Sequence, residues 1–182
     1  METKNTYPLL EKAKEFAVIC HQSTNHWYDG RPYSYHLMMV NQAAQKFIHL
    51  IPEQDREVVL SACWVHDVIE DTRMTYNDVK TVLGEKVADI AYALTNEKGK
   101  NRAERANDKY YEGIRNTPHA TFVKLCDRIA NIWHSKNTKS SMFKKYAKEN
   151  PNFQEKLFFS DEALGLNEMF VFIYELLADK NG

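Results

Sequence analysis

Apolar residues recur at three- and four-residue spacing from one end of this chain to the other, and no segment sustains two-residue alternation. That periodicity belongs to amphipathic helices and predicts no sheet. Leu9, Leu10, Ala13, Phe16, Ala17 and Cys20 mark a first helix over Tyr7 to Ser23. Leu37, Val40, Ala44, Phe47 and Ile48 mark a second, starting at Tyr33 or Ser34 and stopped by Ile51-Pro52; a third runs from Glu53 to Ile69. Thr75, three residues before Asp78, reads as the N-cap of a short helix that Gly84 breaks. Glu85 to Leu94 and Arg102 to Arg115 follow, and Pro118 opens the most apolar late helix, carrying Val123, Leu125, Cys126, Ile129 and Ile132. Phe143 to Glu149, Asn152 to Phe159 and Glu162 to Ala178 complete the set. Only 6 glycines and 5 prolines in 182 residues fit helices better than a tight-turned all-β chain. The expectation is one all-α domain over residues 1–182, a bundle of about ten helices, with packing helices over 140–180.

Charge and cysteine content narrow the function classes. Lys and Arg total 24 against 25 acids, so no bulk field favours DNA or an anionic membrane. No stretch approaches the ~20 apolar residues of a membrane span, and Met1 to Lys14 lacks the apolar run of a signal peptide. Cys20, Cys63 and Cys126 are odd in number and far apart, which argues against a disulfide framework or a Cys-x-x-Cys site. The cytoplasm is the expected compartment; oligomeric state stays open.

The chemistry concentrates in Trp64-Val65-His66-Asp67-Val68-Ile69-Glu70-Asp71-Thr72. On a continuous helix, Glu70 lies one turn beyond His66 and Asp71 one turn beyond Asp67, so an imidazole and three carboxylates project from adjacent strips. That many acids around one His is costly unless something positive neutralises them, and a divalent metal does so. The pair itself proves little, because a His-Asp dipeptide arises often by chance and acids collect at solvated helix ends. Two other residues add weight. His36 sits on the second helix against an apolar run, and Asp127 lies in Val123-Lys124-Leu125-Cys126-Asp127-Arg128-Ile129, a stretch apolar enough to be buried. A buried Asp needs a partner, and Arg128 is poorly aimed because adjacent helical residues point about 100° apart.

In the order His36, His66-Asp67, Asp127 the chain resembles the HD metal-dependent phosphohydrolase superfamily. Gly30-x-Pro32-Tyr33-x-x-His36, His66-Asp67-Val68-Ile69-Glu70-Asp71-Thr72 and Val123-Lys124-Leu125-x-Asp127-Arg128-x-x-Asn131 resemble more specifically the hydrolase domain of the RelA/SpoT family, with core motifs over 30–135. That resemblance implies the HD-domain helical fold, removal of the 3′-pyrophosphate from (p)ppGpp, and the stand-alone small alarmone hydrolase form. It implies that His36, His66, Asp67 and Asp127 hold one divalent ion, manganese by family habit. It implies that Glu70 and Asp71 activate and place the attacking water, and that Lys124 and Asn131 line the nucleotide pocket.

The substrate side departs from the family. An Arg-Lys pair that helps hold the guanine base is replaced by Trp27-Tyr28, which can stack on a base but lacks the cation. A position often Thr is His134, and Arg31 stands where an acid is common. Two other readings therefore stay open: an HD phosphohydrolase for a different nucleotide or phosphoester, and a non-catalytic nucleotide-binding HD domain. Lys98, Lys100, Arg102, Arg105 and Tyr110-Tyr111 could reach a diphosphate or form a solvated helix face. His21, His26, His49 and His119 are read as having no acidic company and stay outside the expected metal site.

Overall fold

The computed structural model describes residues 7–158 and 161–178. Its helices are α1 (Pro8–Ser23), α2 (Ser34–Phe47), α3 (Arg56–Val65), α4 (Val68–Asp71), α5 (Tyr76–Leu83), α6 (Glu85–Leu94), α7 (Arg102–Arg105), α8 (Asp108–Asn116), α9 (Ala120–Asn137), α10 (Met142–Leu157), α11 (Asp161–Gly165) and α12 (Asn167–Ala178). The expected all-α class is what the chain adopts. Phe159, expected in a packing helix, lies outside the described residues.

Helix α9 is the central post, packed by α2, α3, α6, α8, α10 and α12, while α1 lies on α3. Phe122, Leu125, Ile129 and Ile132 of α9 are fully buried. Truncating one such side chain leaves a void that the close-packed surroundings cannot fill. Phe122→Ala should cost about 3–5 kcal/mol of folding stability. Urea unfolding should record this as a lower midpoint at unchanged slope.

The local signals that act within a few residues hold. Thr75 and Asp78 form a reciprocal capping box: the Asp78 amide donates to Thr75 Oγ1 at 3.3 Å and the Thr75 amide to Asp78 Oδ2 at 2.8 Å. Gly84 separates α5 from α6 at φ 89°. Elsewhere the structure departs from the expected boundaries. One short antiparallel hairpin, β1 (Trp27–Tyr28) with β2 (Arg31–Pro32), replaces the expected sheetless segment. It is too short for alternation to register, and it turns at Asp29 and Gly30 with φ 48° and 74°, the positive pair that a tight two-residue hairpin needs. The third expected helix is interrupted after Val65 and resumes at Val68, with no Gly or Pro to mark the break. The Arg102–Arg115 helix is split because Asn107 caps α8, its Oδ1 accepting from the Tyr110 amide at 3.0 Å. Conversely α10 runs through Pro151, where the sequence suggests two helices, with Phe153 and Leu157 buried beyond it. The cost of an internal proline is offset by that packing. Among the described residues no helix is long and apolar enough to cross a membrane.

Candidate active site

Three elements bring the four expected metal-binding residues together. His36 stands in the first turn of α2, His66 and Asp67 at the break between α3 and α4, and Asp127 midway along α9. Nε2 of His36 lies 3.3 Å from Asp127 Oδ1 and 3.7 Å from Asp67 Oδ2; Nε2 of His66 lies 2.9 Å from Asp67 Oδ2 and 3.9 Å from Asp127 Oδ1. The donors of His36, His66 and Asp67 all fall within 4.8 Å of one another, a group that does not include Asp127. Both imidazoles are buried.

The donor chemistry suits a divalent cation. Nδ1 of His66 is 2.9 Å from the Cys63 carbonyl, which can only accept, so Nδ1 carries a proton and Nε2 is turned toward the carboxylates, where a neutral ring would offer a cation its lone pair. That Nε2 is buried and has no partner in hydrogen-bonding geometry. Without a cation the carboxylates take up the imbalance. Burial opposes a charge on His66, but Asp67 and Asp127 outweigh it and push its pKa up to about 9. Asp67 and Asp127 are held below the usual carboxylate range: burial works against their charge, and His66 for Asp67 and Lys124 for Asp127 overcome it. Burial, then the Asp67 and Glu70 carboxylates, push Asp71 up to about 7.

A cavity of about 630 Å³ opens over this cluster, within the range of nucleotide-sized sites. Besides the acids, Arg105, Lys124, Arg128 and Lys145 line it. Glu70 and Asp71 both face it, but not as strips of one continuous helix, since the break at His66-Asp67 intervenes. Lys124 and Asn131 line it as well, already engaged with Asp127. Lys124 Nζ is 3.2 Å from Asp127 Oδ2, and Asn131 Nδ2 donates to Asp127 Oδ1 at 2.6 Å. Burial disfavours the Lys124 ammonium, but Tyr110 and Asp127 keep its pKa raised. The Tyr28 hydroxyl donates to Asn131 Oδ1 at 2.9 Å, and its ring stacks on His36 at 4.8 Å. Trp27 is not brought in: it is 55% exposed, lies outside the cavity lining and donates to Asn25. His134 Nε2 lies 2.7 Å from Asp29 Oδ2, tying the hairpin to α9.

Sequence reasoning missed several neighbours. Tyr33, inside the Gly-x-Pro-Tyr motif, donates its hydroxyl to Asp67 Oδ2. Asn96 binds Glu70, and nothing near Asn96 in sequence signals it. The histidines set aside do have acidic company in space: His26 Nδ1 is 4.0 Å from Asp71 Oδ2, His119 Nε2 3.4 Å from Asp55, and His49 Nε2 3.0 Å from Glu168. His21 and His26 stack on Tyr33 beside the cluster, and burial lowers the His21 pKa to about 4.

Comparison with known proteins gives a consistent picture. The HD domain family matches residues 13–153. The guanosine-3′,5′-bis(diphosphate) 3′-pyrophosphohydrolase MESH1 of Danio rerio is 32% identical over 133 residues, 72% of this chain and 71% of that protein. The guanosine-3′,5′-bis(diphosphate) 3′-pyrophosphohydrolase of Aquifex aeolicus (strain VF5) is 32% identical over 146 residues, 77% of this chain but 20% of that longer protein. The solved structure of a metazoan ortholog of SpoT that hydrolyzes ppGpp superposes with a TM-score of 0.67 at 21% identity, covering 90% of this chain and 94% of that one. At that identity the likeness is one of fold.

Proposed function

The chain belongs to the HD domain family, and from that premise we propose that it is a metal-dependent 3′-pyrophosphohydrolase that degrades (p)ppGpp. The observation that carries the reading is the convergence of His36, Asp67 and Asp127, with His66 against Asp67 behind them, on the wall of a cavity that also presents basic side chains. The substrate class rests on the similarity to MESH1 of Danio rerio over 71% of that protein. In this reading His36, His66, Asp67 and Asp127 hold one divalent ion, manganese. Such an ion, when bound, lowers the pKa of a coordinated water and polarises the phosphoryl group.

The chain's own residues do the rest. Hydrolysis adds water across the bond between the ribose 3′ oxygen and its phosphorus: hydroxide ends on the released diphosphate and a proton on the 3′ oxygen. Glu70 and Asp71 line the same cavity, and in this reading they would place the water and accept its proton. Tyr33 fixes the orientation of Asp67, and Lys124 with Asn131 fixes that of Asp127. Arg105, Arg128 and Lys145 supply positive charge for the phosphates. Arg128 is oriented for this by stacking on Phe153 at 4.1 Å and pairing with Glu149 at 3.4 Å. Tyr28 and Asn131 form the nucleoside end; Trp27 takes no part. A reducing compartment, the cytoplasm, suits three free buried thiols.

A second reading, hydrolysis of a different nucleotide or phosphoester, is favoured by one feature: the nucleoside end offers Tyr28 tied to Asn131 rather than a cation. A panel of nucleotides assayed with manganese separates the two. Pyrophosphate release from ppGpp is the expected result. Turnover confined to other phosphoesters would favour the second reading, and tight ppGpp binding with no turnover over hours would make the domain a binding module.

A further inference from the structure

Glu70, unlike Asp67 and Asp127, is held by a single residue that no part of the expected metal site supplies. Asn96 Nδ2 lies 2.8 Å from Glu70 Oε1 and 2.9 Å from Oε2, and the Asn96 backbone N–H donates to Oε2 at 3.0 Å. The two residues are 26 positions apart, on α4 and just beyond the C-terminus of α6, so this is a tertiary contact and not a local turn. A carboxylate has about four lone-pair sites. Two nitrogens of Asn96 hold it, the backbone N–H on Oε2 and Nδ2 shared between both oxygens, which leaves lone-pair capacity for a further acceptor bond on a side chain that lines the cavity.

We propose that Asn96 is a positioning residue for the hydrolytic reaction, fixing Glu70 as an oriented carboxylate that keeps lone-pair capacity free for the attacking water. The inference rests on the reading of the site as a phosphohydrolase. A freely rotating glutamate would spend much of its time turned from the water or paired with passing cations; two donor nitrogens from one residue, backbone and side chain, remove that freedom in advance. The cost of ordering a long side chain is then met in folding and not in each catalytic cycle. Asn96 and Tyr110 also line a second cavity of about 820 Å³.

The test is a double-mutant cycle with metal content measured on each preparation. Asn96→Ala should lower kcat on the order of 10–100-fold, the usual penalty for a misplaced catalytic group, with KM changed less than about threefold. Asn96→Ser, which restores one hydroxyl donor, should recover part of the loss. In a Glu70→Ala background the further change Asn96→Ala should have almost no effect, because the group it positions is gone. Equal losses in both backgrounds would reduce Asn96 to a structural role and overturn the inference, as would unchanged kcat in Asn96→Ala. If the metallated wild-type protein turns over no phosphoester, the functional reading itself fails, an outcome distinct from either. Thermal melting of each variant separates misfolding from misplacement. If Asn96→Ala unfolds, Asn96→Ser carries the same comparison.

Discussion

His66→Ala protein is expected to purify without a stoichiometric divalent ion and without measurable turnover. The imidazole contributes a buried lone pair with no hydrogen-bond partner, turned inward by the bond from Nδ1 to the Cys63 carbonyl. Without it Asp67 and Asp127 face each other's charge with one donor fewer, and a divalent ion loses both a ligand and its fixed geometry. Metal-ion catalysis is worth several kcal/mol of transition-state stabilisation, which at about 1.4 kcal/mol per tenfold is a loss on the order of 10³ or more. Asp127→Ala should have the same effect on metal content. It carries an added stability penalty, because the partly buried Lys124 ammonium loses the carboxylate 3.2 Å from its Nζ. Elemental analysis of refolding-competent protein, with circular dichroism to verify the fold, is the measurement. Unchanged metal content in either variant would remove these residues from the metal site.

Glu70→Gln should behave in the opposite way, keeping its metal while losing turnover. Glutamine has nearly the same shape, and an Asn96 amide can pair with another amide by rotating, so the contact between α4 and the residues after α6 survives. What is lost is the ability to take a proton. The expected fall in kcat is on the order of 10²–10⁴, the usual worth of a general base. KM should stay level or fall, since a negative charge beside the phosphates has gone. Near-normal turnover in fully metallated protein would refute the assignment. It would shift the proton-accepting role to Asp71, which burial and its carboxylate neighbours have already pushed up to about 7.

Much of this molecule was legible because its signals are local. Apolar spacing gives α1 and α6 nearly to the residue and α2 and α9 to within about three, and the Thr75–Asp78 box and Gly84 bound α5, since each depends on contacts within four positions. The His36, His66-Asp67 and Asp127 pattern names the residue types because a divalent cation demands imidazole and carboxylate wherever the chain supplies them. The sequence could not say which lone pairs meet. The break between α3 and α4 has no local breaker and exists among contacts made by Tyr33 and Asp127, from elements on either side. Trp27 and Tyr28 are neighbours in sequence with equal claim to a base, yet the hairpin sends one to solvent and the other onto His36. Asn96 is an ordinary loop residue until folding lays it against Glu70, 26 positions away. Periodicity and donor chemistry are properties of a short segment; the direction in which each donor points is set by the packing of α2, α3 and α9 against one another, and only the tertiary structure contains it.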